Sequence, residues 1–423
     1  MKFALAGFGT RGDVEPCVAV GRELLRRGHE VRVAVSPNLV GFAEAAGLKA
    51  LAYGLDSRVI VEAQHNFFSR FFATPWRVRD LLRLRRELGE LVTGGWAQMH
   101  ATLTVLAEGV DVLFTGLGYQ QLAAGVAAYY DIPLAVYHYL PVRPNGQLLP
   151  FLPAPVTRSA LRIWEWQLWR GAEKLEDTRR RAVGRAKAAG PSLQRPAENR
   201  VLEIQAYDEV CFPGLAAEWA QFAGRRPFVG ALTLELPTDA DEEVASWIAA
   251  GTPPIFFGFG SMPVKSPADT LAMIAAACAQ LGERALVCSG WTDFGSIARF
   301  GHVKVVGAMN YAAAFPACRA VVHHGGAGTT AAGLRAGVPT LILSTVDPGQ
   351  AIWGAAVKRL HVGITRRLSK TTCESLVADL RTILTPPYVT RAREIAARMT
   401  KPADSVAAAA ELLENFARIK HVD

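Results

Sequence analysis

A polar cluster at residues 323–330, in the order H-H-G-G-A-G-T-T, has the residue types of an anion site. Apolar residues flank it on both sides, so the pattern predicts a strand, a glycine-rich turn and a helix. Glycine permits positive φ and close backbone approach, and a helix N-terminus directs unpaired N–H groups at an anion. The residues predicted to bind a diphosphate are His324, Gly325, Gly326, Gly328, Thr329 and Thr330. The alternative is a turn shaped only for tight packing. The spacing matches neither G-x-G-x-x-G nor G-x-x-x-x-G-K-[ST], so the ordinary dinucleotide and ATP fingerprints are not supported.

A second candidate group is the segment G-T-R-G-D-V-E-P at residues 9–16. Residues 2–6 predict a buried strand, residues 7–13 a loop, and Pro16 the first turn of a helix that ends at Gly28. A further strand at residues 31–35 completes a β-α-β unit of a parallel sheet, in which ligands bind at the carboxyl ends of the strands. Asp13 is therefore a candidate functional residue. Its alternative role is a helix N-cap.

Three ordered motifs resemble the family 1 glycosyltransferases, whose nearest kin here are bacterial enzymes that decorate glycopeptides, glycolipids and sterols. The motifs are the glycine-rich cluster followed by A-G-V-P and a glutamine-containing segment that ends in Trp353, the segment at residues 9–16, and G-F-G-S-M at residues 258–262. Together they cover most of the chain in the family's order. The resemblance implies an α/β fold of GT-B architecture, with two Rossmann-like domains whose parallel sheets face a central cleft.

The resemblance also implies a role for each matching residue. Asp13 corresponds to the base that deprotonates the acceptor hydroxyl. Thr10 and Arg11 would face the donor phosphates or sugar, although Arg11 could instead form an ordinary salt bridge. The implied donor contacts in the second half are Gly260 and Ser261 at the diphosphate, and Trp291 with the backbone around Met309 at the nucleobase. A buried core tryptophan is the alternative for Trp291.

The sequence departs from the family where the sugar should bind. The family has an adjacent Asp-Gln pair, whereas here Gly349 precedes Gln350 and the nearest acid is Asp347. Losing one hydroxyl contact can change donor preference by orders of magnitude. We therefore expect Gln350 to keep one sugar contact, Asp347 to supply a second only if the turn folds back, and the donor to be a TDP-linked 6-deoxyhexose.

The length of 423 residues indicates two domains. We expect an acceptor-binding Rossmann-like domain at residues 1–212, with its last strand at residues 201–212, and a linker at residues 213–240. A nucleotide-sugar-binding Rossmann-like domain should span residues 241–402. The helix at residues 403–423 should return to the first domain. The amino terminus reads as neither a signal peptide nor a membrane span, and six scattered cysteines argue against zinc, so we expect a cytoplasmic protein.

The net charge of +8 is concentrated in two basic blocks, at residues 70–86 and 158–200. Aromatic residues interleave with the first block, which suits a hydrophobic acceptor or an anionic membrane surface at the inner face of the membrane, and we expect no nucleic-acid partner. The alternative is a solvated basic helix. The residues assigned to an acceptor pocket are Phe67, Phe68, Phe71, Phe72, Trp76 and His138, together with the proline-rich stretch at residues 141–155 and the tryptophan-rich helix at residues 164–169. A buried, hydrogen-bonded histidine is the alternative for His138.

These features predict an inverting glycosyl transfer from a nucleotide diphosphate sugar to a hydroxyl of a glycolipid or glycopeptidolipid. No D-x-D-type acidic pair stands in the donor region, so neither a metal nor another cofactor is expected. The nearest alternative is a UDP-glucose-dependent enzyme acting on a sterol or polyketide. Alternatives of another class are a sugar-nucleotide epimerase and a non-catalytic nucleotide-binding protein that docks on membranes.

Overall fold

The computed structural model describes residues 1–74, 76–148, 152–182, 201–262, 264, 266–294 and 300–419. The chain divides into two compact units, Met1–Leu234 with Pro402–Asp423, and Glu235–Lys401. Each unit contains one six-stranded sheet in which every strand pair is parallel. The predicted α/β class with two parallel sheets is confirmed.

The sheet of the first unit has the order β3-β2-β1-β4-β5-β6. Its strands are β1 Lys2–Gly7, β2 Glu30–Val35, β3 Ala50–Ala52, β4 Val112–Gly116, β5 Leu134–His138 and β6 Val201–Gln205. The helices are α1 Arg11–Arg26, α2 Val40–Ala45, α3 Ser57–Ala73, α4 Val78–Leu106, α5 Gln120–Tyr130, α6 Ala154–Ala182 and the short α7 Leu215–Glu218. Because crossover helices cover both faces of a parallel sheet, its central strands are almost continuously apolar and buried.

The sheet of the second unit has the order β12-β11-β10-β7-β8-β9. Its strands are β7 Ile255–Gly258, β8 Ala285–Cys288, β9 Val303–Val306, β10 Ala320–His323, β11 Thr340–Ser344 and β12 Gly363–Arg367. The helices are α8 Asp241–Ala249, α9 Pro267–Leu281, α10 Tyr311–Ala314, α11 Ala327–Ala336, α12 Pro348–Arg359, α13 Cys373–Ile383 and α14 Pro386–Ala396. Since β7, β8 and β10 are neighbours, the loops that follow them meet at one edge of the sheet.

The last helix, α15 Pro402–Ile419, belongs to the first unit and packs against α1. The Glu414 carboxylate accepts hydrogen bonds from Arg27 at 3.0 Å and contacts the His29 ring at 2.7 Å. The boundary between the units lies between Leu234 and Glu235, so residues 213–234 pack with the first unit. In the described part of the chain, no helix has both the length and the apolar content that a membrane crossing requires.

Two predicted boundaries in the first unit are wrong, namely the start of α1 and the end of β6. The loop predicted at residues 7–13 is shorter, because α1 begins at Arg11 and Pro16 lies inside the helix. The strand predicted at residues 201–212 ends at Gln205, because the chain then turns, and a short 3-10 helix at Glu209–Cys211 follows. After β6 apolar residues continue past the end of the strand, so hydrophobicity alone did not mark that end.

Candidate active site

The glycine-rich turn after β10 is held by the first of its two histidines. His323 is fully buried, and its Nδ1 accepts the Gly325 N–H at 3.0 Å. Gly325 has φ +97°, and a Cβ there would lie 2.9 Å from Cγ2 of Ile342, so a side chain is excluded by both strain and space. Burial lowers the pKa of His323 well below its usual value, which keeps Nδ1 free to accept.

The second histidine lies between two glycine turns. A Cβ on Gly260 would stand 2.8 Å from Cε1 of the His324 ring, and a Cβ on Gly326 would stand 2.6 Å from its Nε2. Burial lowers the pKa of His324 to about 4, opposed by a hydrogen bond with the Gly258 backbone. The imidazole is therefore neutral at pH 7 in the ligand-free protein. It can donate or accept a hydrogen bond there, but it carries no positive charge.

The first turn of α11 is left open to a ligand. Gly326 is its N-cap and provides no side-chain cap, and the turn contains no acid. Among the described residues, the N–H groups of Ala327, Gly328 and Thr329 have no hydrogen-bond partner. Thr329 is half-buried, whereas Thr330 is buried and its hydroxyl donates to the Gly326 carbonyl at 2.8 Å. The first turn of α11 thus has three backbone N–H groups that could donate to an anion, and of the glycines predicted on sequence grounds only Gly328 is among them.

Trp291 lies beside a cavity of about 420 Å³. The backbone N–H of Trp291 donates to the Gly260 carbonyl at 3.0 Å, which joins the loops after β7 and β8. The close approach requires Gly290, because a Cβ there would lie 2.2 Å from the Gly260 oxygen. The residues that line this cavity are Ser289, Gly290, Trp291, Thr292, Asp293, Val305, Val306 and Gly307. Ser261 is half-buried after Gly260, while the Met309 side chain lies in the core of the unit.

The two residues predicted to hold the sugar are both engaged within the protein. Asp347 is the N-cap of α12 and accepts the Gly349 N–H at 2.6 Å. The Gln350 carboxamide oxygen accepts from the N–H and the hydroxyl of Thr345, at 2.7 and 3.0 Å, and its nitrogen donates to Sδ of Met262 at 2.9 Å. The sequence did not single out Thr345 or assign a role to Met262. Neither belongs to a residue class that signals sugar binding, so only their three-dimensional position reveals them.

Asp13 lies in the first turn of α1. Its Oδ2 accepts the N–H of Thr10 at 2.8 Å and the Thr10 hydroxyl at 3.0 Å, so the carboxylate caps its own helix. Gly9, with φ +134°, lies under this carboxylate, and a Cβ there would stand 2.4 Å from Oδ2. Ser36 fixes the turn from β2, since its hydroxyl accepts the Gly9 N–H at 2.9 Å and donates to the Gly9 carbonyl at 3.0 Å.

Tyrosines from β5 and from the loop after β4 surround Asp13. Tyr137 donates its hydroxyl hydrogen bond to the Asp13 carbonyl, and Tyr119 lines a small cavity together with Asp13. Burial, and secondarily the Asp13 charge, raises the pKa of Tyr119 to about 12, so the phenol stays protonated. The ring of Tyr119 contacts Phe8 edge-on at 5.1 Å and Trp96 at 6.0 Å. The sequence did not identify these aromatics, because they come from four separate segments.

Arg11 is already paired in this structure. Its Nε donates to Glu15 at 3.1 Å, and its guanidinium lies 4.7 Å from the Phe42 ring centroid. The salt bridge considered for Arg11 on sequence grounds is therefore present, and the exposed part of its guanidinium remains accessible to a ligand.

The residues assigned to the acceptor occupy two different environments. Phe67 is half-buried on α3 and stacks with Phe71 at 6.2 Å, while Phe68, Phe71 and Trp76 are exposed. The side chain of Phe72 lies outside the described residues, as do residues 183–200 of the second basic block. His138 is fully buried at the end of β5. Burial lowers its pKa to about 3, with Arg143 contributing and Glu203 opposing.

One Rossmann-like unit carries a glycine turn with open N–H groups at a helix N-terminus, and the other carries a carboxylate in the first turn of the helix that follows β1. Glycosyltransferase family 28 N-terminal domain is the family model that matches residues 3–129, and the Erythromycin biosynthesis protein CIII-like C-terminal domain matches residues 294–415. An uncharacterized glycosyltransferase of Mycobacterium tuberculosis is 59% identical over 420 residues, which are 99% of each chain. The chain belongs to the glycosyltransferases.

More distant matches extend over nearly the whole of this chain. A sterol 3-beta-glucosyltransferase of Arabidopsis thaliana is 27% identical over 97% of this chain and 67% of its own length. The crystal structure of the glycosyltransferase VinC in complex with dTDP matches 99% of this chain and 100% of its own, with a TM-score of 0.66 at 17% identity. The recognition of a GT-B glycosyltransferase from the three motifs is confirmed.

Proposed function

We propose that this glycosyltransferase moves a 6-deoxyhexose from TDP to a hydroxyl of a hydrophobic acceptor, such as a glycolipid or glycopeptidolipid, with inversion at the sugar carbon. The observation that carries the proposal is the open first turn of α11 beside the neutral His324 ring. Three unpaired N–H groups at a helix N-terminus suit a leaving diphosphate. The cavity beside Trp291 is large enough for a nucleobase.

Asp13 is the proposed base. The acceptor oxygen attacks the anomeric carbon, the bond from that carbon to the phosphate oxygen breaks, and the acceptor proton passes to the Asp13 carboxylate. The diphosphate leaves with the electron pair, and the α11 N–H groups with His324 stabilise its charge. The hydrogen bonds from Thr10 to Oδ2 support this role because they fix the orientation of the carboxylate.

Transfer should proceed without a metal. We assign stabilisation of the leaving group to the open backbone N–H groups of α11 and not to a metal ion. Excess chelator should therefore leave the rate unchanged. A strict requirement for added Mg²⁺ would contradict this mechanism.

The donor assignment depends on Gly349. A glycine beside Gln350 gives more room and one fewer fixed acceptor than the family's acid, which favours a sugar that lacks a hydroxyl. The dTDP complex of VinC, a protein of the same fold, is consistent with a TDP donor. The sterol glucosyltransferase relative instead supports UDP-glucose and a sterol as the second candidate pair.

The test is a matrix of UDP- and TDP-sugars against a lipid extract, with products identified by mass spectrometry. We expect the products to include a new glycolipid when the donor is TDP-rhamnose or a related deoxysugar. In the cell, we expect the transfer to take place at the cytoplasmic face of the membrane. A kcat/KM for UDP-glucose at least tenfold above that for TDP-rhamnose, about 1.4 kcal/mol of transition-state binding, would contradict the deoxysugar donor. It would leave the transfer mechanism intact.

A further inference from the structure

Large apolar side chains cluster on the surface where α3 ends and α4 begins. We call this the α3–α4 tip; its exposed apolar residues are Phe68, Phe71, Trp76, Val78 and Leu82. Trp76 has 73% of its surface exposed, whereas tryptophan side chains in folded proteins are usually largely buried. Isolated exposed apolar residues are common, but five within fifteen positions of one helical hairpin mark an interaction surface.

The tip is also strongly basic. Residues 70–86 contain six arginines and one acid. Arg77, Arg83 and Arg86 lie within 4 Å of Asp80, Glu87 and Glu90 respectively, at 3.9, 3.8 and 2.9 Å. In the described part of the chain, Arg70, Arg79 and Arg85 form no ion pair. The surface therefore retains unneutralised positive charge among its apolar groups.

Helical geometry brings the two kinds of side chain together. Val78 and Leu82 are four residues apart on α4, and Arg85 and Arg86 continue the same face one turn later. On α3, Phe68 and Phe71 are three residues apart, so their side chains lie on one face of the helix. Arginine stems can lie along apolar surface while their charged ends reach phosphate oxygens, as they do at a bilayer interface.

We propose that the α3–α4 tip docks this enzyme on an anionic lipid bilayer, with the aromatic and aliphatic side chains in the headgroup region and the arginines on lipid phosphates. Positive charge facing anionic headgroups supplies the complementarity, and apolar burial supplies the depth. Single-stranded nucleic acid would use the arginines and aromatics but gives no role to Val78 and Leu82. The inference stands independently of the donor and acceptor proposed above.

The experiment is co-sedimentation of the full chain with phosphatidylglycerol-containing vesicles and with pure phosphatidylcholine vesicles. The apolar variant is Phe71→Ser with Trp76→Ser and Leu82→Ser, and the charge variant is Arg79→Glu with Arg85→Glu. Matched controls use exposed residues elsewhere, Val105→Ser with Tyr129→Ser, and Arg367→Glu with Arg381→Glu. Thermal unfolding of every variant verifies that each one folds.

We expect the unmodified chain to bind phosphatidylglycerol vesicles at least about tenfold more strongly than phosphatidylcholine vesicles, and high salt to weaken that binding. Each tip variant should lose about tenfold or more, and each control should stay within about twofold. Equal vesicle binding by folded tip variants would overturn the proposal, as would equal binding to the two lipids. Displacement from vesicles by single-stranded DNA that depends on the tip would assign the surface to nucleic acid instead.

Two further measurements, dTDP affinity and the acceptor concentration needed for half-maximal rate, distinguish membrane docking from acceptor binding. Calorimetric titration with dTDP should give the same affinity in the tip variants and the unmodified chain, because none of the substituted residues belongs to the proposed diphosphate site. If dTDP fails to bind even the unmodified chain while vesicle docking persists, the donor assignment is wrong and the docking surface stands. If the apolar variant docks normally but needs more detergent-solubilised acceptor for half-maximal rate, these residues belong to the acceptor pocket and the docking proposal fails.

Discussion

Each unit has a strand, a glycine turn and a helix start at the carboxyl end of its sheet. The two helix starts differ in whether a side chain accepts a hydrogen bond from the backbone of the first turn. In each unit a parallel strand ends in a turn with a positive-φ glycine, Gly9 or Gly325, and a helix starts within a few residues. At α1 the third helical residue, Asp13, turns back and accepts the N–H of the N-cap residue. At α11 the third helical residue is Thr329, and the first-turn N–H groups remain open. The acid at the third helical position is therefore what distinguishes a helix start that carries a carboxylate from one whose first-turn N–H groups stay open.

The largest expected effect comes from removing the charge at α1. Asp13→Asn keeps an oxygen that can accept from Thr10, so the helix cap is retained while the base is lost. Turnover should fall by about two to four orders of magnitude with donor affinity nearly unchanged. Rates at saturating donor, with unfolding temperature as the control for folding, measure this. Near-normal turnover would mean that Asp13 is only a cap.

A second variant introduces at the start of α11 the acid that α1 has at its third helical position. Thr329→Asp places a carboxylate at the third helical position, where it can accept the Gly326 N–H as Asp13 accepts that of Thr10. We expect stability to rise by about 0.5 kcal/mol, while dTDP affinity falls by about a hundredfold, since the new carboxylate repels the negatively charged diphosphate.

The matched control for that variant is Thr329→Asn, which has the same size and no charge. Calorimetry should show a much smaller loss of dTDP affinity for Thr329→Asn. If Thr329→Asp binds dTDP as well as the unmodified chain does, the α11 N-terminus is not the diphosphate site.

His324 tests the same site through its ring. His324→Ala should weaken dTDP binding by roughly 1.5–3 kcal/mol, the range for a hydrogen bond to a charged group. The pKa of about 4 in the free protein adds a signature, because a bound diphosphate favours the protonated ring and raises that pKa. Binding then takes up a proton, so the advantage of the unmodified chain over His324→Ala should grow as pH falls from 7 towards 5. A constant difference across this range would remove His324 from contact with the diphosphate.

The contrast between the units also explains what the sequence could and could not predict. Gly325 and Gly326 act through their own backbone, so residue type and order were enough to predict the strand, the turn and the helix that the structure has here. The boundaries of α1 were harder, because Pro16 normally marks a first turn and here lies inside the helix.

Side chains that meet through the fold were not predictable from spacing. Ser36 fixes Gly9 from β2, and Tyr119 and Tyr137 reach Asp13 from the ends of β4 and β5. None of these residues stands near Asp13 in sequence, and serine and tyrosine are too common to signal such a role. Gln350 shows the converse, because its type suggested a sugar contact and its position gives it Thr345 and Met262 as partners.

We expect the smallest effect from substitution of Thr10. This substitution distinguishes a role in orienting Asp13 from direct contact with the donor. The N–H and the hydroxyl of Thr10 both donate to Oδ2 of Asp13, so Thr10→Ala removes the hydroxyl donor and keeps the backbone donor, whereas Thr10→Ser keeps both. We expect Thr10→Ala to lower the free energy of unfolding by about 1 kcal/mol and turnover by less than about tenfold, because the carboxylate is less firmly oriented. Thr10→Ser should match the unmodified chain in both measurements. The informative quantity is the KM for the nucleotide sugar. If Thr10 acts only by orienting Asp13, that KM is unchanged in both variants and the loss appears in kcat; a raised KM confined to Thr10→Ala would instead place the hydroxyl on the donor itself.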